Sequence, residues 1–390
     1  MNKYQICAVT STRAEYGVLR PLLRRLEKNP LVNLDIIVTG THLIECFGYT
    51  KNEIIEDGYR NLIDIFISMD DDTRSGMAIT TGAAMCEFAN HFKKHRYDIL
   101  IVLGDRYEIF AAVSVAHIMG MAVAHISGGD VTEGAIDDAL RHSMTKMSYL
   151  HFPGCSQSAK RIIQMGETPD RVFNVGELGV ENCLKTKLMS KQELKDSLDY
   201  SGIFSDYSVV TFHPVTMEDS TAGHQVNELI KAMECFPDMS YIITMSNADA
   251  GGREINDIWE KVCLNHKNWL LVPSLGVVRY LSAVKYAKLV IGNSSSGIIE
   301  VPSMGTPTVN IGDRQKGRMM ADSVINCRPI ANDIIFAMEN GLTEDFQIKS
   351  RNICSPFGDG KTSKKMEKII MDYLESTNRF LEKKFYDIDF

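Results

Sequence analysis

Between Ile99 and Lys146 the chain twice runs through a short apolar segment and stops it at glycine. Ile99–Leu103 ends in Gly104-Asp105-Arg106, and residues 122–126 end in Gly128-Gly129-Asp130. Apolar runs this short, each followed by a helical length of chain, read as strands buried on both faces of a parallel sheet. A third segment, from residue 135, opens with Asp137 and Asp138 and continues to Arg141, His142 and Lys146. Ligands of parallel α/β sheets bind outside the carboxyl ends of the strands. Two strand ends and a helix start that present carboxylates there point to proton transfer on a bound molecule. The same residues also fit a turn at Asp105-Arg106, a helix cap at Asp130 and a surface ion pair between Asp137 and Arg141.

The alternation extends in both directions. Strand patterns at 5–9, 34–39 and 62–67 alternate with helical patterns at 18–26 and 73–95, with a loop and short helix over 48–58. Residues 151–153 and 172–176 read as the last strands of this half. A second series follows at 207–212, 241–245, 269–272, 289–292 and 308–311, again ending in small or polar residues. The expected fold is α/β, with two Rossmann-like domains built on parallel sheets and a ligand cleft between them. The expected boundaries are 1–180 for the domain with the acids and 181–365 for the second. Residues 366–390 form a C-terminal helix returning to the first domain.

Several loops carry candidate chemistry. Residues 10–17, TSTRAEYG, read as a polar loop before a helix. Arg13 and free N–H groups there suit a phosphate, though a capped helix with a solvated arginine fits equally. No GxGxxG is present, so a dinucleotide fingerprint is unsupported. His42 follows the second strand and is expected to face the same cleft. In the second half Asn293-Ser294-Ser295-Ser296-Gly297 offers hydroxyls and N–H groups for a diphosphate. Glu300 would accept from ribose hydroxyls and Arg314 would balance charge; an ordinary serine-capped helix is the plainer alternative. Gly358-Asp359-Gly360-Lys361-Thr362 resembles the end of a P-loop but lacks its first glycine and its preceding strand, and reads as a turn. His91 and His95 have metal-ligand spacing without an acidic third ligand, so a solvated face is expected and no metal.

Composition narrows the partners. The net charge of −8 contains no basic block, which argues against nucleic acid. No apolar run approaches the roughly 20 residues of a membrane span, and the first residues enter a strand rather than a secretory signal. Nine scattered cysteines without a CxxC suit reduced thiols in a cytoplasmic enzyme.

Seven segments together resemble the hydrolysing UDP-N-acetylglucosamine 2-epimerases of the sialic-acid pathway. They are TSTRAEYG at 10–17, VLGDRYE at 102–108, GGDVTEGAIDDALRHSMTKMSYLHF at 128–152, FHPVT at 212–216, SNAD at 246–249, GNSSSGIIEVPSMGTP at 292–307 and NIGDRQKGR at 310–318. The resemblance spans nearly the whole chain. It implies a GT-B-like pair of domains and elimination of UDP from the sugar to a 2-acetamidoglucal. Water is then added to give the free 2-epimerised sugar. It places Asp105, Asp130 and Asp138 on the family's acidic positions, without deciding which removes the C2 proton. It places His213 and Arg106 on the leaving diphosphate or the sugar. Arg13, Ser294, Ser295 and Arg314 fall on phosphates, Glu300 on the ribose and Asn247 on the diphosphate side. It implies no metal, no cofactor and a homodimer or homotetramer. Many sialic-pathway members carry Glu where this chain has Asp130, a carboxylate shorter by about one bond length. That leaves room for the sister substrate UDP-2,4-diacetamido-2,4,6-trideoxyglucose of legionaminic acid synthesis. The rival classes are a GT-B glycosyltransferase, a non-hydrolysing 2-epimerase and a non-catalytic nucleotide-sugar sensor.

Overall fold

The computed structural model describes residues 3–388 apart from 46–47, 70, 72, 133–135, 215–221, 247–251 and 378–380. The chain divides into two compact units. One joins Met1–Asn182 to Phe357–Phe390, and the other is Cys183–Pro356.

The first unit holds strands β1 (Tyr4–Thr10), β2 (Val32–Val38), β3 (Asn61–Asp64), β4 (Ile99–Leu103), β5 (Val123–Ile126) and β6 (Leu150–Phe152). They form one sheet in the order β3-β2-β1-β4-β5-β6, and every pairing is parallel. The second unit holds β7 (Tyr207–Thr211), β8 (Ser240–Thr244), β9 (Trp269–Val272), β10 (Leu289–Gly292), β11 (Thr308–Ile311) and β12 (Val324–Cys327). Its order is β12-β11-β10-β7-β8-β9, again parallel throughout. Either sheet grows outward from its first strand, returns to that strand's other side and grows again. The direction reverses between β1 and β4, and between β7 and β10. Those are the points where this topology opens a crevice at the strand ends.

Alternate residues of each strand feed opposite cores. Ile6 and Ala8 of β1 pack with the helix Arg13–Lys28 and the last helix, Thr362–Glu375. Cys7 and Val9 face the helices Arg74–Lys94 and Tyr107–Ile118. In β7, Val209 and Val210 divide in the same way between two cores. Leu19, Leu22, Leu23 and Leu26 form a fully buried stripe on the first helix. Truncating one of these to alanine costs about 2–5 kcal/mol.

Some boundaries differ from the sequence expectation. The first helix begins at Arg13, not near residue 18, because Thr12 and Glu15 form a capping box. Residues 172–176 are not a strand; Val172 makes an isolated bridge to His151. The edge strand β12 was not anticipated, being four residues long and largely half-exposed. The segment after the serines is two short helices, Ser295–Ile299 and Val301–Met304. Pro302, lacking an N–H, interrupts the hydrogen-bond ladder there. Residues 358–362 are a turn into the last helix, whose N-terminal end is held by Glu181. That carboxylate accepts from Ser363 N at 2.5 Å and Ser363 Oγ at 2.6 Å. Among the described residues no helix is long and apolar enough to cross a membrane.

Candidate active site

In the first unit the predicted acids gather around one arginine. Asp105 follows β4 across Gly104, whose φ of +81° suits glycine. Asp130 follows β5, and Asp138 lies in the first turn of the helix Ile136–Met147. Arg141, one turn further along that helix and only 6% exposed, reaches all three places. Its guanidinium pairs with the Asp105 carboxylate and donates to the Asp130 carbonyl at 2.9 Å and the Thr132 hydroxyl at 3.1 Å. It also lies 3.7 Å from Asp138 Oδ1. Arg141 is therefore not half of a surface ion pair with Asp137; it is a buried fork that fixes two loops against a helix.

Two of these carboxylates, Asp138 and Asp130, have a further partner. Thr132 N donates to Asp138 Oδ1 at 2.6 Å, and His142 Nε2 stands 3.5 Å from Oδ2. Ser158 Oγ donates to Asp130 Oδ1 at 2.5 Å. Asp137 is held above the usual carboxylate range, first by burial and then by the negative charge of Asp105. His125 Nε2 meets the Gly104 carbonyl at 2.8 Å, and burial lowers this ring to about 3. It is a neutral prop beneath the turn that carries Asp105.

The crevice between β1 and β4 is lined by a second charged group. Glu15 accepts from Ser11 N at 2.7 Å and Ser11 Oγ at 2.9 Å. Burial pushes its carboxyl up to about 7, opposed by the Ser11 bonds and by Arg106, and assisted by Glu108. Arg106 lies across the fully buried Glu108, with Nε at 3.2 Å and Nη2 at 2.8 Å from Oε1. Among the described residues, Glu15 Oε1 and Glu108 Oε2 have no hydrogen-bond partner. Arg13 is exposed and pairs with Glu53 at 2.6 Å. His42 is fully buried. Its ring bridges Thr10 Oγ1 at 3.0 Å and Thr50 Oγ1 at 2.8 Å, and burial lowers it to about 4. It faces those hydroxyls rather than an open crevice.

The second unit joins the ends of β7 and β10 with neutral groups, edged by Arg314. Asn293, after β10, accepts from His213 N and donates to His213 O, both at 2.8 Å. This reciprocal pair ties the ends of β7 and β10. Gly292 is required at the join, since a Cβ there would lie 1.9 Å from Thr211 O. The Asn293 carbonyl accepts from Arg314 Nη1 at 3.1 Å and Gln315 Nε2 at 2.9 Å. The ring of His213 stands 3.3 Å from Ser246 Oγ. Ser294 caps the helix Ser295–Ile299 without a side-chain cap bond, and both Ser294 and Ser295 are half-buried. Glu300 is held above its ordinary value by burial, with Ser296 donating against that rise. Asn247 lies outside the described residues.

Sequence reasoning did not single out Arg141, Glu15 or Glu108 as members of these clusters, and it named Asn293 only as the start of the serine loop, not as the partner of His213. The Thr12-x-x-Glu15 spacing is a capping signal, and Arg141 stands at i+3 from Asp138. For Glu108 and Asn293 no local signal distinguishes a buried partner from a solvated residue. Among the described residues no cluster of histidine, cysteine and carboxylate side chains has a metal-binding arrangement. His91 and His95 stack at 4.6 Å, and His91 Nε2 is 2.9 Å from the Tyr97 hydroxyl.

Known proteins give an independent view. The family model described as UDP-N-acetylglucosamine 2-epimerase matches residues 24–371. "Polysialic acid biosynthesis protein P7" of Escherichia coli is 38% identical over 98% of this chain and 97% of its own. "GDP/UDP-N,N'-diacetylbacillosamine 2-epimerase (hydrolyzing)" of Campylobacter jejuni is 36% identical over 89% of this chain and 90% of its own. The crystal structure of UDP-GlcNAc 2-epimerase from Neisseria meningitidis, bound to UDP-GlcNAc, superimposes with a TM-score of 0.74. That match covers 94% of this chain and 100% of that one at 16% identity, a likeness of fold.

Proposed function

The chain belongs to the UDP-N-acetylglucosamine 2-epimerase family, and from that premise we propose that it is a hydrolysing 2-epimerase converting UDP-GlcNAc and water to N-acetylmannosamine and UDP. The observation that carries this reading is the convergence of Asp105, the Asp130 loop and Asp138 on buried Arg141 at the strand ends of the first sheet. The C2 proton of the sugar adjoins no carbonyl and is weakly acidic. Cleavage of the C1–O bond therefore runs ahead, building positive charge at C1 and releasing the electron pair to the UDP oxygen. Loss of the C2 proton to a carboxylate completes the glucal. Water then adds across the double bond, oxygen to C1 and a proton to the opposite face of C2. Closely spaced carboxylates serve both needs, stabilising the cation and moving protons. No redox step occurs, so the balance needs no cofactor.

The remaining roles follow the same proposal. Arg106 and His213 meet the diphosphate or the sugar. Arg13, Ser294, Ser295 and Arg314 hold phosphate oxygens and Glu300 takes the ribose hydroxyls; the family resemblance alone assigns Asn247 to the diphosphate. N–H groups and guanidinium groups suffice to neutralise a leaving diphosphate. The enzyme would act in the cytoplasm, where nucleotide sugars are made, as a homodimer or homotetramer.

A second reading keeps the chemistry and changes the sugar to UDP-2,4-diacetamido-2,4,6-trideoxyglucose. The name of the Campylobacter jejuni relative favours it, as does the shorter carboxylate at Asp130. Proton NMR in deuterated water tests both. Free N-acetylmannosamine carrying deuterium at C2, together with UDP, is the expected result. A product still attached to UDP would contradict hydrolysis, and turnover of the trideoxy sugar nucleotide alone would select the second reading.

A further inference from the structure

We propose that residues 382–386 of the C-terminal tail strap down the end of the helix Ile136–Met147, and that Lys383 is a positioning residue for the Asp138 and Arg141 carried by that helix. The proposal rests on the reaction assigned above only for what those two residues do.

The last carbonyls of a helix have no donors within it. Here they are met from the far end of the chain. Lys383 Nζ donates to the Lys146 carbonyl at 2.8 Å and the Ser148 carbonyl at 2.7 Å. A cation at a helix C-terminus also lies on the favourable side of the helix dipole. The same ammonium stands 2.6 Å from Glu167 Oε2, a carboxylate only 1% exposed. Glu167 in turn holds Lys146 Nζ at 2.6 Å and His151 Nε2 at 3.0 Å. Burial would raise Glu167, but these three partners outweigh it and hold the carboxyl down to about 2. One buried charge thus joins the tail, the helix end and β6. Without Lys383, the Lys146 carbonyl in the helix and the Ser148 carbonyl just past its end lose this donor, and Glu167 Oε2 keeps only His151.

The contacts flanking Lys383 make the tail a strap rather than a single pin. Tyr386 N donates to the Gly166 carbonyl at 3.0 Å, and Arg171 Nη2 donates to the Glu382 carbonyl at 3.2 Å. The Phe385 ring lies over Lys146, with Nζ 5.0 Å from its centroid. Gly166 leaves room for that ring: a Cβ there would come within 2.4 Å of it. Arg141 sits five residues before Lys146, about 7.5 Å along a helix at 1.5 Å per residue. Movement of the helix end therefore reaches the arginine that sets Asp105, Asp130 and Asp138. Displacements of about 1 Å at a reacting group can cost up to about a hundredfold in rate.

The test uses the full chain with Lys383→Met and Lys383→Arg, read by steady-state kinetics on both nucleotide sugars and by amide hydrogen exchange. For Lys383→Met we expect kcat to fall about tenfold with KM within about twofold. Exchange at residues 143–148 should quicken about tenfold while β1 and β4 keep their protection. Lys383→Arg should recover most of both losses. Unchanged kcat, or unchanged exchange at 143–148, would overturn the proposal. So would an equal loss of protection in β1 and β4, which would mark general destabilisation. If the unaltered protein turns over neither sugar, the assigned reaction fails, and the exchange result still decides the strap.

Discussion

The two sheets have the same strand order and reverse direction at equivalent points, yet their strand ends carry opposite kinds of chemistry. The first sheet ends in Glu15, Asp105, Arg106, Glu108, Asp138 and Arg141, four carboxylic acids set against two guanidinium groups. The second ends in His213, Ser246, Asn293 and Gln315, a frame of amides, a hydroxyl and an imidazole, with Arg314 attached to it through a backbone carbonyl. Topology places a crevice; it does not say what the crevice does. A preorganised set of charges suits a step in which charge develops. A neutral frame edged by one arginine suits holding a ligand that brings its own charge.

The division predicts effects of different size and kind. The largest is expected at Asp105. Asp105→Asn should lower kcat on the order of 10³-fold, within the range for a group that moves a proton or stabilises a transition-state charge; intact turnover would remove Asp105 from the chemistry. Glu15 comes next, through pH. Its folded value of about 7 lies above the 4.5 of an ordinary glutamate, so the folded state binds the proton more tightly. Stability is therefore favoured below pH 4.5, declines as pH rises from 4.5 to 7, and the penalty is complete above 7. Glu15→Gln should accordingly gain on the unaltered protein by about 3 kcal/mol between pH 4.5 and 7.5 in urea unfolding. A difference independent of pH would contradict the burial of that carboxylate.

Arg141→Met leaves Asp105 and the Asp130 carbonyl without their shared donor. We expect a loss of about 2–3 kcal/mol in the same assay, short of the full buried-pair cost because Asp105 and Asp138 keep some water. The smallest effect belongs to the neutral frame. Asn293→Ala removes both bonds to His213 and should cost about 1–2 kcal/mol. It should weaken UDP binding in calorimetry more than it lowers kcat. Reversal of that last ranking would collapse the distinction between the two sheets.

Much of this was legible in the sequence, for physical reasons. Strands buried on both faces must be short apolar runs, so β1, β4, β5, β7, β8 and β10 stand out. Glycines at Gly104, Gly129 and Gly292 mark where the backbone takes positive φ at a strand end. The edge strand β12 was illegible because its residues are only partly covered, and residues 172–176 imitated a strand while making one bridge. Asp105 and Asp130 stand out in the sequence as carboxylates at strand ends and Asp138 as one at a helix start, and the family resemblance picked out these three. Arg141 was found only as a surface pair, since spacing along a helix cannot tell which face is buried. His42 was placed correctly after its strand, but the sequence gives no hint that Thr10 and Thr50 enclose its ring.

In the proposed enzyme the first sheet carries the chemistry and the second the nucleotide. Titration of UDP into purified Asp105→Asn tests this division most directly. UDP affinity within about twofold of the unaltered protein is expected, a difference below about 0.4 kcal/mol. A loss of tenfold or more would place Asp105 in nucleotide binding and contradict the division.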